Sequence, residues 1–228
     1  MESEPVVFIV DDDASVRKSL ERLVRSVGLR GETFASAPEF LQGAAADSPS
    51  CLVLDVRMPG VSGLALQATL AASGHRIPII FITGHGDITM SVRAMKAGAV
   101  DFLPKPFNDQ DLLEAIQEAI ARDQQAREKR TALQDIQRRV VLLTPRERDV
   151  LALVITGLLN KQIAAELGMS EKTVKVHRAQ VMQKMQVSSV AQLVLLAEKV
   201  TLTAPQGLSR LDQSPISSVS NSKFSIDR

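Results

Sequence analysis

Six polar side chains sit at or just past the ends of short apolar runs, and their types suit one kind of chemistry. Asp11, Asp12 and Asp13 follow Val6–Val10, Asp55 follows Cys51–Leu54, Thr83 follows Pro78–Ile82, and Lys105 lies just beyond Val100–Leu103. If these runs are parallel strands, the residues meet at the carboxyl edge of one sheet, where open α/β folds bind their ligands. Three carboxylates brought together (Asp11, Asp12, Asp55) repel unless a hard cation or a lysine offsets them. Carboxylate oxygens, backbone carbonyls and water are the donors that Mg²⁺ prefers. Aspartate also attacks phosphorus. Thr83 offers a hydroxyl hydrogen bond and Lys105 a partner for a phosphoryl oxygen, so metal and lysine together would stabilise the charge of a transferred group. A lone strand-end aspartate is more often a cap or turn residue; the ordered set is what points to phosphoryl transfer.

The elements that must hold these residues alternate regularly. Helical spacing of apolar residues appears at Val16, Leu20, Leu23, Val24 and Val27, and a second strand fits Gly31–Phe34. Helices are expected over Ser36–Ala45, Gly63–Ala72 (after a loop at Met58-Pro59-Gly60) and Ile88–Ala97, the last closed by Gly98. A fifth helix starts at Asp109, with Leu112, Leu113, Ile116 and Ile120 on one side. Five βα units with apolar strands predict an α/β fold, a five-stranded doubly wound parallel sheet of the flavodoxin-like kind over residues 1–122.

The segments IVDDD, LVLDVRMPG, FITGHGD, AMKAGAVDF and LPKPF resemble the receiver domain of two-component response regulators, from residue 5 to about 122. The resemblance implies that Asp55 accepts a phosphoryl group from a cognate sensor histidine kinase. It implies that Asp12, Asp55 and the backbone carbonyl of Arg57 hold Mg²⁺, with Asp11 helping through water. Thr83 and Phe102 match the family's switch positions, Lys105 matches its lysine, and Lys105-Pro106 is expected to be cis. A haloacid-dehalogenase-like phosphatase would carry a second aspartate two residues after the first; here that residue is Arg57. The chain is therefore not expected to be an enzyme. His75 and His85 have no partner cluster and read as loop residues.

Residues 123–143 are rich in Gln, Arg and Lys, with too many polar heptad positions for a coiled coil, and predict a helical linker that continues the fifth helix. Beyond it, Thr144-Pro145-Arg146-Glu147 has the form of a capping box opening a helix. Asn160–Leu167, a turn at Gly168-Met169-Ser170, and Glu171–Lys184 predict helix, tight turn, helix within an all-α domain over 144–202. Ile163, Ala164 and Leu167 would face Val174 and Val181. The segment TPRERDVL…NKQIAAELGMSEKTVKVHR resembles the DNA-binding domain of the LuxR type. With the receiver in front, the chain resembles FixJ/NarL-subfamily response regulators, which implies binding to double-stranded promoter DNA to regulate transcription. Matching positions put Lys161, Thr173, Arg178 and Lys184 at phosphates, and Lys175, Val176 and Ala179 at base edges. The resemblance further implies a homodimer on phosphorylation, contact with RNA polymerase and an activating role.

Charge and composition bound the alternatives. Residues 1–123 carry net −6, while 124–143 and 144–200 carry +3 each, which suits different partners for the two halves. No apolar run approaches the ~20 residues of a membrane span, the stretch MESEPVVFIV is not expected to be a secretory signal, and Cys51 alone can form neither a disulfide framework nor a metal cluster. A cytoplasmic protein is expected, with a Ser-rich disordered tail over 203–228. Two other readings stay open: a constitutive DNA binder whose front domain only dimerises, and a rear domain that binds protein instead of DNA.

Overall fold

The computed structural model describes residues 4–44, 47–84 and 88–201. The expected tail and His85 lie outside these residues. Two compact units part between Arg130 and Thr131, inside the stretch expected to be a linker.

In the front unit, five parallel strands, β1 (Val6–Val10), β2 (Arg30–Phe34), β3 (Ser50–Asp55), β4 (Ile79–Thr83) and β5 (Asp101–Pro104), lie in the order β2-β1-β3-β4-β5. Alternation along each strand sends side chains to opposite faces. Phe8, Leu52, Leu54 and Phe81 pack with Phe34, Phe40 and Leu66 on one side, on helices α2 (Ala37–Gly43) and α3 (Gly63–Ala72). Ile9, Val53, Ile80 and Ile82 pack on the other with Leu20 and Val24 of α1 (Ala14–Ser26). The first residues of α5 (Asp109–Val141), Leu112, Ile116 and Ala119, complete that side. Helix α4 (Ile88–Lys96) follows β4. The order reverses between β1 and β3, so the loops after these strands diverge and leave a crevice at their carboxyl ends. The fold class read from the sequence is the one observed.

The rear unit is all helical. α6 (Pro145–Ile155), α7 (Asn160–Leu167), α8 (Glu171–Lys184) and α9 (Val190–Thr201) surround Val150, Val154, Ile163, Val174, Val181 and Leu193. The Thr144 capping box is formed in both directions, with Glu147 Oε2 accepting the Thr144 N–H at 2.7 Å. Ile136 and Leu143, from the end of α5 and just beyond it, are buried in this core as well. Among the described residues no helix is long and apolar enough to cross a membrane.

Candidate functional site

The edge of the front sheet gathers two buried carboxylates and a half-buried lysine. Asp11, first past β1, is 1% exposed, and Asp55, the last residue of β3, is 5% exposed. Lys105 reaches both: its Nζ donates to Asp11 Oδ2 at 2.7 Å and to Asp55 Oδ1 at 3.0 Å. The remaining oxygens are held by backbone. Asp13 N–H donates to Asp11 Oδ1 at 2.8 Å, and Arg57 N–H donates to Asp55 Oδ2 at 2.7 Å. Lys105 is aimed by its own backbone, whose N–H donates to the Thr83 carbonyl at 2.7 Å, and the peptide bond to Pro106 is cis.

One ammonium against two carboxylates leaves a negative excess in a site partly cut off from water. Burial pushes the Asp55 carboxyl above its usual range, against the Lys105 hydrogen bond and charge, and the nearby Asp11 adds to the rise. For Lys105, burial disfavours the ammonium, but the hydrogen bonds to Asp11 and Asp55 outweigh it and hold its pKa above the ordinary value.

Thr83 ends β4 at 1% exposure, next to this pocket in sequence and in the sheet, where it is in register with Pro104. Phe102, half-buried in β5, packs on Phe81 with ring centroids 6.2 Å apart. The expected three-carboxylate cluster is only partly assembled. Asp12 is exposed, and among the described residues no three acidic, cysteine or histidine side chains converge closely enough to hold a metal. The physical reason is the backbone direction after β1: Asp11 continues into the crevice, and Asp13 turns out to cap α1, accepting the Ser15 N–H at 2.7 Å.

A residue with no chemistry of its own also shapes the site. Gly63, the first residue of α3, donates its N–H to the Val56 carbonyl at 3.0 Å. A Cβ there would lie 2.3 Å from the carbonyl oxygen of Asp55. The only signal in sequence is a glycine directly after the capping Ser62.

In the rear unit, α7 and α8 join through Gly168, which ends α7 at φ 63°, a left-handed conformation suited to glycine. Ser170 caps α8 by accepting the Thr173 N–H at 3.1 Å. Lys161, Thr173, Lys175, Val176 and Ala179 are exposed. Arg178 is half-buried and steadied by Asn160, to whose Oδ1 it donates at 2.8 Å. Lys184 sits apart from this group. Its ammonium is bound to the two carboxylate oxygens of the buried Glu147 at 3.0 and 2.7 Å, a partner 37 residues earlier that no local spacing reveals.

Comparison with known proteins agrees with both halves. Residues 7–117 match the response regulator receiver domain, and residues 141–197 match the bacterial regulatory proteins of the luxR family. Nodulation protein W of Bradyrhizobium diazoefficiens is 53% identical over 202 residues, 89% of each chain. Transcriptional regulatory protein FixJ of the same species is 45% identical over 191 residues, 84% of this chain and 93% of that one. The solved structure of response regulator StyR has a TM-score of 0.80 at 53% identity, covering 86% of this chain and 100% of the other. The sheet order and the acidic crevice define the class, a receiver joined to a helix-turn-helix unit. More closely, the chain belongs to the two-component response regulators with a LuxR-type DNA-binding domain, relatives of FixJ, which are transcription regulators and not enzymes.

Proposed function

We propose that Asp55 is the phosphoacceptor of this response regulator and that its phosphorylation, by a cognate histidine kinase, drives dimerisation and promoter binding in the cytoplasm. The observation that carries this reading is the placement of Asp55: a nearly buried carboxylate, with the Lys105 ammonium 3.0 Å from Oδ1. As an Asp55 carboxylate oxygen attacks phosphorus, the bond from phosphorus to the kinase's phosphohistidine nitrogen breaks and the imidazole leaves, with Lys105 in reach of the charge on the phosphoryl oxygens. Arg57 N–H holds Oδ2 and the Lys105 ammonium holds Oδ1, so the carboxylate is fixed in orientation at the crevice. The donor set is all oxygen, and one lysine cannot neutralise it, which fits a hard divalent cation such as Mg²⁺. Asp11 and Asp55, which the crevice brings together, with the Arg57 carbonyl and the exposed Asp12 next in sequence, are the residues that would hold Mg²⁺. Bound there, the metal would supply charge neutralisation for the transferred group.

After transfer, a hydrogen bond from Thr83 to the phosphoryl group draws β4's end inward and frees Phe102 to rotate, a shift between two populated states. The face that changes includes α4, where Ile88, Val92 and Met95 stand exposed at 83%, 45% and 44% at positions i, i+4 and i+7. Such a stripe on a short helix is a surface that gains by pairing with its copy. Two rear units then engage two half-sites, which raises affinity through effective concentration. Lys161, Thr173 and Arg178 contact phosphates, and Lys175, Val176 and Ala179 face base edges, with RNA polymerase recruited in an activating role.

The test is phosphorylation by a small phosphodonor with Mg²⁺, for the wild type and for Asp55→Asn, with mass and duplex affinity measured on the full chain. The wild type is expected to gain one phosphoryl group, to dimerise and to bind DNA more tightly, with strong salt dependence. Asp55→Asn is expected to do none of these. No phosphate uptake by the wild type, or uptake with flat DNA affinity, overturns the reading.

A further inference from the structure

A recognition helix is aimed by both of its ends. The first turn of α8 is fixed by Gly168 and the Ser170 cap. Its last turn is held from outside the helix-turn-helix pair. The final carbonyls of a helix lack intrahelical partners and carry the negative end of its dipole. Here Arg139, near the end of α5, donates from Nη1 to the Met185 carbonyl at 3.1 Å, and it is braced by an ion pair to Asp135. Lys184, on the same turn of α8, donates to both oxygens of Glu147 and to the Leu142 carbonyl at 3.3 Å. Glu147 is 2% exposed and already closes the start of α6 through Thr144. Three chain segments therefore meet at one buried carboxylate and one helix terminus.

We infer that Arg139 and Lys184 are positioning residues for DNA recognition, clamping the last turn of α8 to α5 and α6 without touching DNA. This rests on the reading of the rear unit as a DNA binder. The lever is long: α8 has 14 residues, about 20 Å at 1.5 Å per residue. A pivot of about 10° at the turn moves the far end by about 3.5 Å and mid-helix residues by roughly half that, more than the geometry of a base-edge hydrogen bond tolerates. Lys175, Val176 and Ala179 lie in that middle stretch. Loosening the clamp would leave their side chains intact and misdirect them.

The test uses the full chain and the duplex that the wild type enriches from a random-sequence pool. Arg139→Gln and Lys184→Met are compared by anisotropy titration over a salt series, with helix content checked by circular dichroism. Each folded variant is expected to bind at least about tenfold more weakly with the salt slope unchanged, and Lys184→Arg is expected to restore most of the affinity. Unchanged affinity in a folded variant overturns the inference. So does a slope reduced by about one for Lys184→Met, which marks a lost phosphate contact. Should Lys184→Met fail to fold, Glu147→Gln/Lys184→Met removes both charges and is read the same way. Amide exchange in the DNA-free chain is a second measure. Residues 183–187 are expected to exchange about tenfold faster in Arg139→Gln, and unchanged exchange counts against the clamp. If the wild type enriches no duplex, the DNA-binding reading fails, and exchange still decides whether the clamp exists.

Discussion

Replacing Gly63 by alanine tests how closely α3 is pressed onto β3, the strand that ends in Asp55. Ser62 caps α3, so Gly63 is the first helical residue. Helix propensity alone would make Gly63→Ala stabilising, by up to about 1 kcal/mol. The surroundings predict the opposite. The new Cβ would lie 2.3 Å from the Asp55 carbonyl oxygen, 3.1 Å from Leu54 Cγ and 3.2 Å from the Asp55 carbonyl carbon. Ordinary contact begins near 3.4 Å, so helix and strand must separate by about 1 Å. One side of the clash is strand backbone of the sheet and the other is the start of α3, tied by its N–H to the Val56 carbonyl, so the cost lies at the upper end of overpacking, about 3 kcal/mol. After the propensity gain, a net loss of about 2 kcal/mol remains. With a urea m-value of about 1–3 kcal/mol/M, the midpoint should fall by about 1 M. Because native stability is typically ~5–15 kcal/mol, the variant should stay folded in buffer, and the proposed role of Asp55 then predicts slower phosphate uptake because its backbone is displaced. A urea midpoint equal to or above that of the wild type would refute the close-approach reasoning.

Three further outcomes follow from particular contacts. Cys51 is fully buried at 0% exposure and its thiol pKa is pushed up by desolvation, so a thiol reagent should label it only at the rate of unfolding; rapid labelling in native buffer would contradict that burial. The Lys184 hydrogen bond, with the Thr144 N–H, holds the Glu147 carboxyl below its ordinary range. A lowered folded-state pKa means its stabilisation is complete above the unfolded value and is lost as pH falls through the folded one. Acid melts should therefore show a drop below about pH 4.5 that is reduced in Glu147→Gln. Ile163 is fully buried between the helix-turn-helix pair and α6, so Ile163→Ala should cost about 2–5 kcal/mol, read as a lowered melting temperature of the rear unit.

Much of the fold was legible because its strands are short, apolar and separated by helical spacing. β2, with RGETF, is the weakest of these, as befits a strand on the sheet edge with one partner. The limits of the strands were less legible where polar residues belong to them. Asp55 is in register with Ile82, and Thr83 with Pro104, so both are strand residues and not loop residues. Three consecutive aspartates could not reveal which one enters the crevice; the backbone direction after Val10 decides it for Asp11 and sends Asp13 to cap a helix. In the rear half the turn and caps were readable because they are local. The partner of Lys184 was not, since a buried carboxylate on another helix leaves no trace in the spacing around it. The same holds for Ile136 and Leu143, whose core lies in residues that follow.

The uninterrupted α5 bears on how such a chain could be recombined. A seam between Arg130 and Thr131 lies inside a helix, so the unit that can be inherited or grafted does not begin where its first capping box begins. A graft starting at Thr144 would leave Ile136 and Leu143 behind and open a void in the core it transplants. Arg139 would be lost with them. The tolerant place for a join is residues 129–132, all exposed, and the joined sequence has to remain helical: a glycine there costs about 1 kcal/mol and a proline about 3. Exchange of signal inputs among relatives is thus expected to leave crossovers within a helix, upstream of the motif by which the rear module is recognised.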